Sequence, residues 1–202
     1  MKKLMLILTT LGLALPAMAK GDKSQMKKAD AEQTGSMTTG NQAAGADTSS
    51  SNPEVITEAH VAKIMTVVNE GEIDAAKVAD GKAKNERVKA FAEKMKKEHK
   101  HNKKEAKKVA KKADIDMEKH AMVEMLKENN KATVEKLKEA SEAEFDRVYM
   151  QSQVDMHQTI LNHINTKFMP AAQNPAFKSY LQKTKASIQG HLREAQSIQK
   201  TL

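Results

Sequence analysis

The chain contains no cysteine and no tryptophan, and four phenylalanines and two tyrosines are its only aromatic residues. Without cysteine there is no disulfide scaffold, so stability has to come from packing or from a ligand. Eight glycines and four prolines in 202 residues are too few for a collagen or for an ordinary β-sandwich with its frequent turns. Ala, Lys, Glu and Met fill the chain instead, with 30% charged residues and 13 methionines. No stretch alternates with the period of a strand, whereas apolar residues recur at helical spacing, so the fold class is all-α.

Apolar runs long enough to span a bilayer are also lacking. Lys2 and Lys3 precede an apolar stretch from Leu4 to Leu15, and Ala17-Met18-Ala19 follows as an A-x-A cleavage site. This is the pattern of a signal peptide over residues 1–19, cut after Ala19. It implies a periplasmic or secreted protein with no transmembrane span in the mature chain. No cysteine follows the cut, which argues against a lipoprotein. Residues 20–52 are rich in Gly, Ser, Thr and Gln, and their four lysines balance four acids. Such a segment buries too little to offset its ordering entropy, so a disordered tether is expected.

The domain is expected over residues 53–202. Asn52-Pro53-Glu54 has the form of a helix start, with a cap, a proline at the first position and an acid behind it. It predicts a first helix to about Lys84. Asn85 caps a second, to about Lys112, and Asp116 a third, over about 117–139. Ser141 with Glu144 forms a capping box for a fourth, from 142 to about 168, ended by Met169-Pro170. Asn174-Pro175 starts a fifth that runs to the C-terminus.

Four of these helices carry seams of 4-3-4-3 spacing, as antiparallel helix packing requires. The first holds Val61, Met65, Val68, Glu72, Ala75 and Ala79. In each seam one ionisable residue stands where an apolar one is expected: Glu72, His99, His157 and His191. Their depths agree. Glu72 lies 13 residues before Asn85 and His99 lies 14 after it, while His157 and His191 each lie 17 residues from Asn174. One residue of mismatch is only about 1.5 Å of helix, so the four should share one layer. Two hairpins joined by a long helical crossover make a ferritin-like four-helix bundle.

Glu72-Ile73, Phe91-Ala92 with Met95 and Glu98-His99, Phe145-Asp146 with Tyr149 and His157, and His191-Leu192 with Ala195 resemble an exported bacterial family. It is the domain-of-unknown-function family 4142, grouped with ferritin-like proteins and often labelled outer-membrane or periplasmic. The resemblance covers about residues 55–200 and implies fold and location, not chemistry. Glu98 departs from the shorter acid usual there, Asp.

A layer of one carboxylate and three imidazoles suits a single divalent transition metal, with Glu72, His99, His157 and His191 as ligands. A ferroxidase-type two-metal centre is excluded, because the Glu-x-x-His pairs it needs are missing. Lys96, Val154 and Ile188 stand three residues before the histidines. The alternatives are a metal-free polar layer that fixes helix register and a different ligand. Asn69, Asn102 and Gln153 are polar neighbours fit to orient the ligands. Gly71 and Gly190, each just before a layer residue, give either room at a site or close helix approach. His60, His101, His120 and His163 fall off the seams and are expected at the surface. Met65 and Met95 read as core filler rather than soft-metal ligands.

Charge of one sign is concentrated in the second helix. Between Glu86 and Lys112 stand twelve Lys or Arg and four acids. The face is either simply solvated or holds an anionic lipid or lipopolysaccharide surface. Nucleic acid is disfavoured, since no aromatics interleave the lysines. No nucleophile–base set, phosphate-cradling loop or paired-acid pattern points to an enzyme.

Overall fold

A computed structural model describes residues 55–202, and within them the protein is all-α. The helices are α1 (Glu58–Lys82), α2 (Glu86–Lys112), α3 (Ala121–Glu139), α4 (Glu142–His163) and α5 (Pro175–Gln199). The expected signal peptide, the tether and the Asn52-Pro53-Glu54 start lie outside the described residues. Among the described residues no helix is long and apolar enough to cross a membrane.

Several helix starts differ from the sequence expectation. α1 begins later than Pro53: the Thr57 hydroxyl accepts the His60 N–H, and His60 Nδ1 accepts the Thr57 N–H. This is a capping box with histidine in the place of Glu or Gln. α3 is not capped by Asp116. Ile115 and Met117 pack on the core instead, which holds that stretch extended until His120 Nδ1 accepts the Met122 N–H at 3.1 Å. Ser141 stands at the α4 N-cap without capping a backbone N–H; its hydroxyl donates to Glu144 instead. α4 also outlasts Met169-Pro170. It widens into a π-turn over Ile164–Phe168, where the Met169 N–H reaches back to the Ile164 carbonyl, and closes with Met169–Ala171. Pro170 has no N–H to give, so a wider turn beside it is a known accommodation. Asn85 and Asn174 cap α2 and α5 as expected.

α1 packs on α2 and α4 on α5, with further contacts between α2 and α5 and between α1 and α4. α3 covers α1. Fourteen of the 25 residues of α1 are therefore buried, against seven of 27 in α2. The first is an interior helix, the second a surface one.

The two hairpin turns are alike, and each is tied by a carboxylate from the other hairpin. Asp146, in the first turns of α4, accepts the Lys84 and Asn85 N–H groups at 3.1 and 2.7 Å. Glu58, first residue of α1, accepts those of Gln173 and Asn174 at 3.1 and 2.9 Å. N–H groups that would otherwise need water are met, and the hairpins are fixed level with each other. α3 carries the chain back, its Met122 and Leu126 in one apolar cluster and its Leu137 in the other.

Between these clusters lies a belt of buried polar residues that includes Asn69, Glu72, His99, Gln153, His157, Thr184 and His191. One cluster is aliphatic and methionine-rich, closed by Phe168 and Phe177. The other is built from small α1 alanines against Phe91, Phe145 and Tyr149. Gly71 marks a close approach, since a β-carbon there would collide with the Asn130 side chain of α3. Gly190 does not, for nothing lies within 4 Å of where its β-carbon would be.

Candidate metal centre

The seam spacing of α2, α4 and α5 aims one histidine from each helix into the polar belt. His99, His157 and His191 are all buried. Their ring centroids form a nearly equilateral triangle with sides of 5.7, 5.6 and 5.3 Å. One nitrogen from each ring lies within 4.8 Å of the other two.

Each ring is held from behind by an oxygen. His99 Nδ1 is 2.9 Å from Asn69 Oδ1. The Asn69 amide is itself oriented, since its Nδ2 donates to the Met65 carbonyl and its Oδ1 also accepts from Asn102 Nδ2. His157 Nδ1 is 2.8 Å from the Gln153 carbonyl, and His191 Nε2 is 2.7 Å from Glu98 Oε2. All three partners are acceptors, so each imidazole spends its N–H outward. In the neutral rings the lone pairs of His99 Nε2, His157 Nε2 and His191 Nδ1 are then left to converge. Outer hydrogen bonds of this kind fix tautomer and ring orientation in metal-ligating histidines.

Two further details bear on that centre. His99 Nε2 is buried with no hydrogen-bond partner, which costs about 1–3 kcal/mol while unmet. His157 Nε2 and His191 Nδ1 stand 3.3 Å apart. Two nitrogens each ~2.0–2.1 Å from one tetrahedral ion would be about 3.3–3.4 Å apart, so this pair already has the spacing of two ligands. Without an ion, two facing lone pairs repel unless a proton sits between them.

Glu72 lies in the same belt but outside the triangle of ligand nitrogens. A gap of about 10 Å³, lined by Glu72, His99 and His157 among apolar side chains, adjoins the rings. Burial raises the Glu72 pKa above the usual carboxylate value, with His157 and a hydrogen bond from Gln153 opposing. Glu72 Oε2, Gln153 Oε1 and the Tyr149 hydroxyl are buried without partners. Burial, and secondarily the Glu72 charge, pushes the Tyr149 hydroxyl well above its ordinary pKa.

His99 and His191 resist protonation. Burial holds His99 well below 6.5, helped by repulsion from His157 and His191. Burial also lowers His191, although the Glu98 hydrogen bond pulls the other way. Neutral imidazole is the form that binds a metal.

The polar neighbours expected from sequence are in place, Asn69 behind His99 and Asn102 behind Asn69. Gln153 holds His157 by its main-chain carbonyl and Glu72 by its side chain. Glu98 is the residue of the centre to which sequence reasoning gave no role. Its signals were its place beside His99 in the family resemblance and an acid next to a seam position, on the edge of α2 turned toward α5. His101 is exposed as expected, whereas His60, His120 and His163 are half-buried. His60 and His120 pack ring on ring at 4.9 Å and His163 leans on Phe168, so all three are structural side chains of the far end.

No curated protein and no solved structure matches the chain. A family model does, over residues 38–198, a span that includes every residue of the histidine triangle and its supports. The chain belongs to the family described as domain of unknown function, DUF4142.

Proposed function

We propose that this chain is an exported metal-binding protein. In this reading it is a ferritin-like four-helix bundle of α1, α2, α4 and α5, with α3 as the crossover. It holds one divalent transition metal on His99, His157 and His191, with the Glu72 carboxylate as the nearby negative charge or fourth ligand. The role is storage, buffering or stabilisation by the metal. One observation carries this: three buried imidazoles spend their N–H groups outward and leave three nitrogens within 4.8 Å of one another. Three neutral donors around a divalent ion suit Zn²⁺, Co²⁺ or Cu²⁺. Metal analysis of the purified chain, followed by melting with and without Zn²⁺ or Co²⁺, is the test. One equivalent of bound metal and a raised melting temperature are expected. A centre that takes up no metal would instead be a polar layer in which a proton joins His157 and His191.

A second reading concerns the α2 surface. Lys97, Lys100, Lys104, Lys107 and Lys111 follow one another at helical spacing, and all five are exposed. Other α2 lysines are neutralised, as in Lys94–Glu194, Lys103–Glu70 and Lys108–Glu105. The unpaired stripe favours contact with an anionic lipid or lipopolysaccharide surface. Co-sedimentation with anionic vesicles should be strong at low salt and fall steeply as salt rises. Equal binding to neutral vesicles, or none, would leave a solvated face.

A further inference from the structure

α2 and α5 leave between them a cavity of about 580 Å³, within the range of small-molecule sites, roughly 300–1,000 Å³. It is a trough. Its walls run from Lys97 to Val109 on α2 and from Ala176 to His191 on α5, and the α2 wall alone rises about 18 Å. The outer side of the Glu98–His191 pair stands at one end, and the other end lies toward the Asn174 turn.

The polar side chains of the floor are spent on one another. The Thr184 hydroxyl donates to Asn102 Oδ1 at 3.3 Å, and Asn102 Nδ2 donates to Asn69 Oδ1 at 3.2 Å. The Tyr180 hydroxyl is engaged with the Thr184 and Asn69 side chains. Both carboxylates of the wall are engaged too, Glu98 with His191 at 2.7 Å and Glu105 with Lys108 at 3.1 Å. What remains for a ligand is apolar surface, from Ile188, the Tyr180 ring, Val109 and Ala176 along the length of the trough. A polar ligand would lose its hydration there and find no free partner, whereas an apolar chain gives up nothing.

Free charge is confined to the rim. Lys97 stands on the α2 edge and Lys183 on the α5 edge, both exposed. Among the described residues neither has an ion-pair partner. Lysine stems can lie along apolar surface while the ammonium groups stay in water. A long apolar floor under two free cations is complementary to a chain with a single anionic end.

We infer that the trough binds a free fatty acid, with its carboxylate between Lys97 and Lys183 and its chain laid over Tyr180 toward Val109 and Ala176. The site needs no metal in the histidine triangle. It also differs from contact with an anionic membrane surface, which would engage the outward lysines of α2 without filling the trough.

The experiment is calorimetry on the full mature chain, free of metal, with laurate below its micelle-forming concentration. One equivalent should bind, with a negative heat-capacity change. Decanoate should bind about tenfold more weakly, as two fewer buried methylenes require, and butyrate should not bind. Lys97→Gln combined with Lys183→Gln should weaken laurate by about tenfold and leave dodecanol unchanged. Ala176→Trp should also weaken laurate, by filling the tail end of the trough. All three positions are exposed, so these substitutions spare the core. No binding of laurate overturns the inference. Binding that ignores chain length, or that survives both sets of substitutions unchanged, is surface adsorption and overturns it as well. Anionic vesicles that bind through Lys97 while laurate does not would assign that lysine to a membrane face and overturn the fatty-acid site.

Discussion

The two flanks of the histidine triangle are built on opposite terms. On the α5 side Glu98 takes the His191 N–H while its side chain remains 43% exposed. On the α1 side Glu72 is 4% exposed, and its carboxylate, the Gln153 amide and the Tyr149 hydroxyl each keep one buried atom unmet. A carboxylate at the wet edge orients a ring at little cost, because water serves its other oxygen. A carboxylate in the dry interior costs much more unless a positive charge arrives beside it. The first flank is suited to holding ligands, the second to receiving a cation.

The largest effect should follow from breaking the triangle itself. At a Zn²⁺ concentration 100 times the dissociation constant, linkage stabilises the wild-type chain by about 2.7 kcal/mol. For a chain of this size that is roughly 5–11 °C in melting temperature. In His157→Ala the Zn²⁺-dependent increment should vanish, as calorimetry with and without the metal would show. An increment that survives the substitution would mean that the converging nitrogens are not the site.

The outer flank is tested by Glu98. Removing a carboxylate that orients a ligating histidine costs about 10–100-fold in metal affinity. Glu98→Ala should show that loss in a Zn²⁺ competition titration. Glu98→Gln should fall between Ala and wild type, since its amide oxygen can still accept from His191 Nε2. Unaltered affinity in Glu98→Ala would remove the distinction between the flanks.

The layer itself was legible because the seams of four helices each skip one apolar residue, and the skipped positions fall at matching depth. His99, His157 and His191 followed directly. Depth does not fix azimuth, however. Whether Glu72 points into the triangle or beside it depends on how α1 packs against α2 and α3, which no spacing rule contains. The role of Glu98 was illegible for a related reason. Its partner lies 93 residues away on α5, and an acid on a lysine-rich helix reads as ordinary surface charge. The late start of α1 was missed because a histidine, His60, closes the capping box with Thr57. The extended run before α3 was missed because packing of Ile115 and Met117 on the core overrode a local cap. The two Asn-capped turns needed only local chemistry and stand where expected.

The flanks should also titrate with opposite sign. His99 and His191 have folded-state pKa values below 6.5. As pH falls through 6.5 the unfolded chain takes up protons that the folded rings refuse, so stability falls until the folded pKa values are reached. Glu72 has a folded-state pKa above 4.5. Between 4.5 and that raised value the folded chain holds the extra proton, so this term makes the protein more stable as pH falls. Glu72→Gln removes the second term alone. The metal-free variant should be more stable than wild type at pH 7. The gap should close as pH approaches 4.5 in urea melts at stepped pH. A gap that widens with acid would show that the Glu72 carboxylate is ionised and stabilising in the folded chain.

The smallest effect concerns the backbone beside each flank. Gly71 precedes Glu72 on the dry side and Gly190 precedes His191 on the wet side, both inside helices, where Gly costs about 1 kcal/mol relative to Ala. A β-carbon at 190 meets nothing within 4 Å. Gly190→Ala should therefore stabilise the chain by about 0.5–1 kcal/mol, partly by restricting the unfolded state. A β-carbon at 71 collides with the Asn130 side chain, whose amide donates to the Val67 carbonyl at 3.3 Å. Gly71→Ala has to displace that amide, and losing a bond of about 1 kcal/mol cancels or outweighs the propensity gain. Urea unfolding of the two variants, without metal, should place Gly190→Ala above wild type and Gly71→Ala level with it or below. If Gly190→Ala were the destabilised one, the α5 backbone would have to bend at Gly190 to aim His191, and the wet flank would depend on that bend as well as on Glu98.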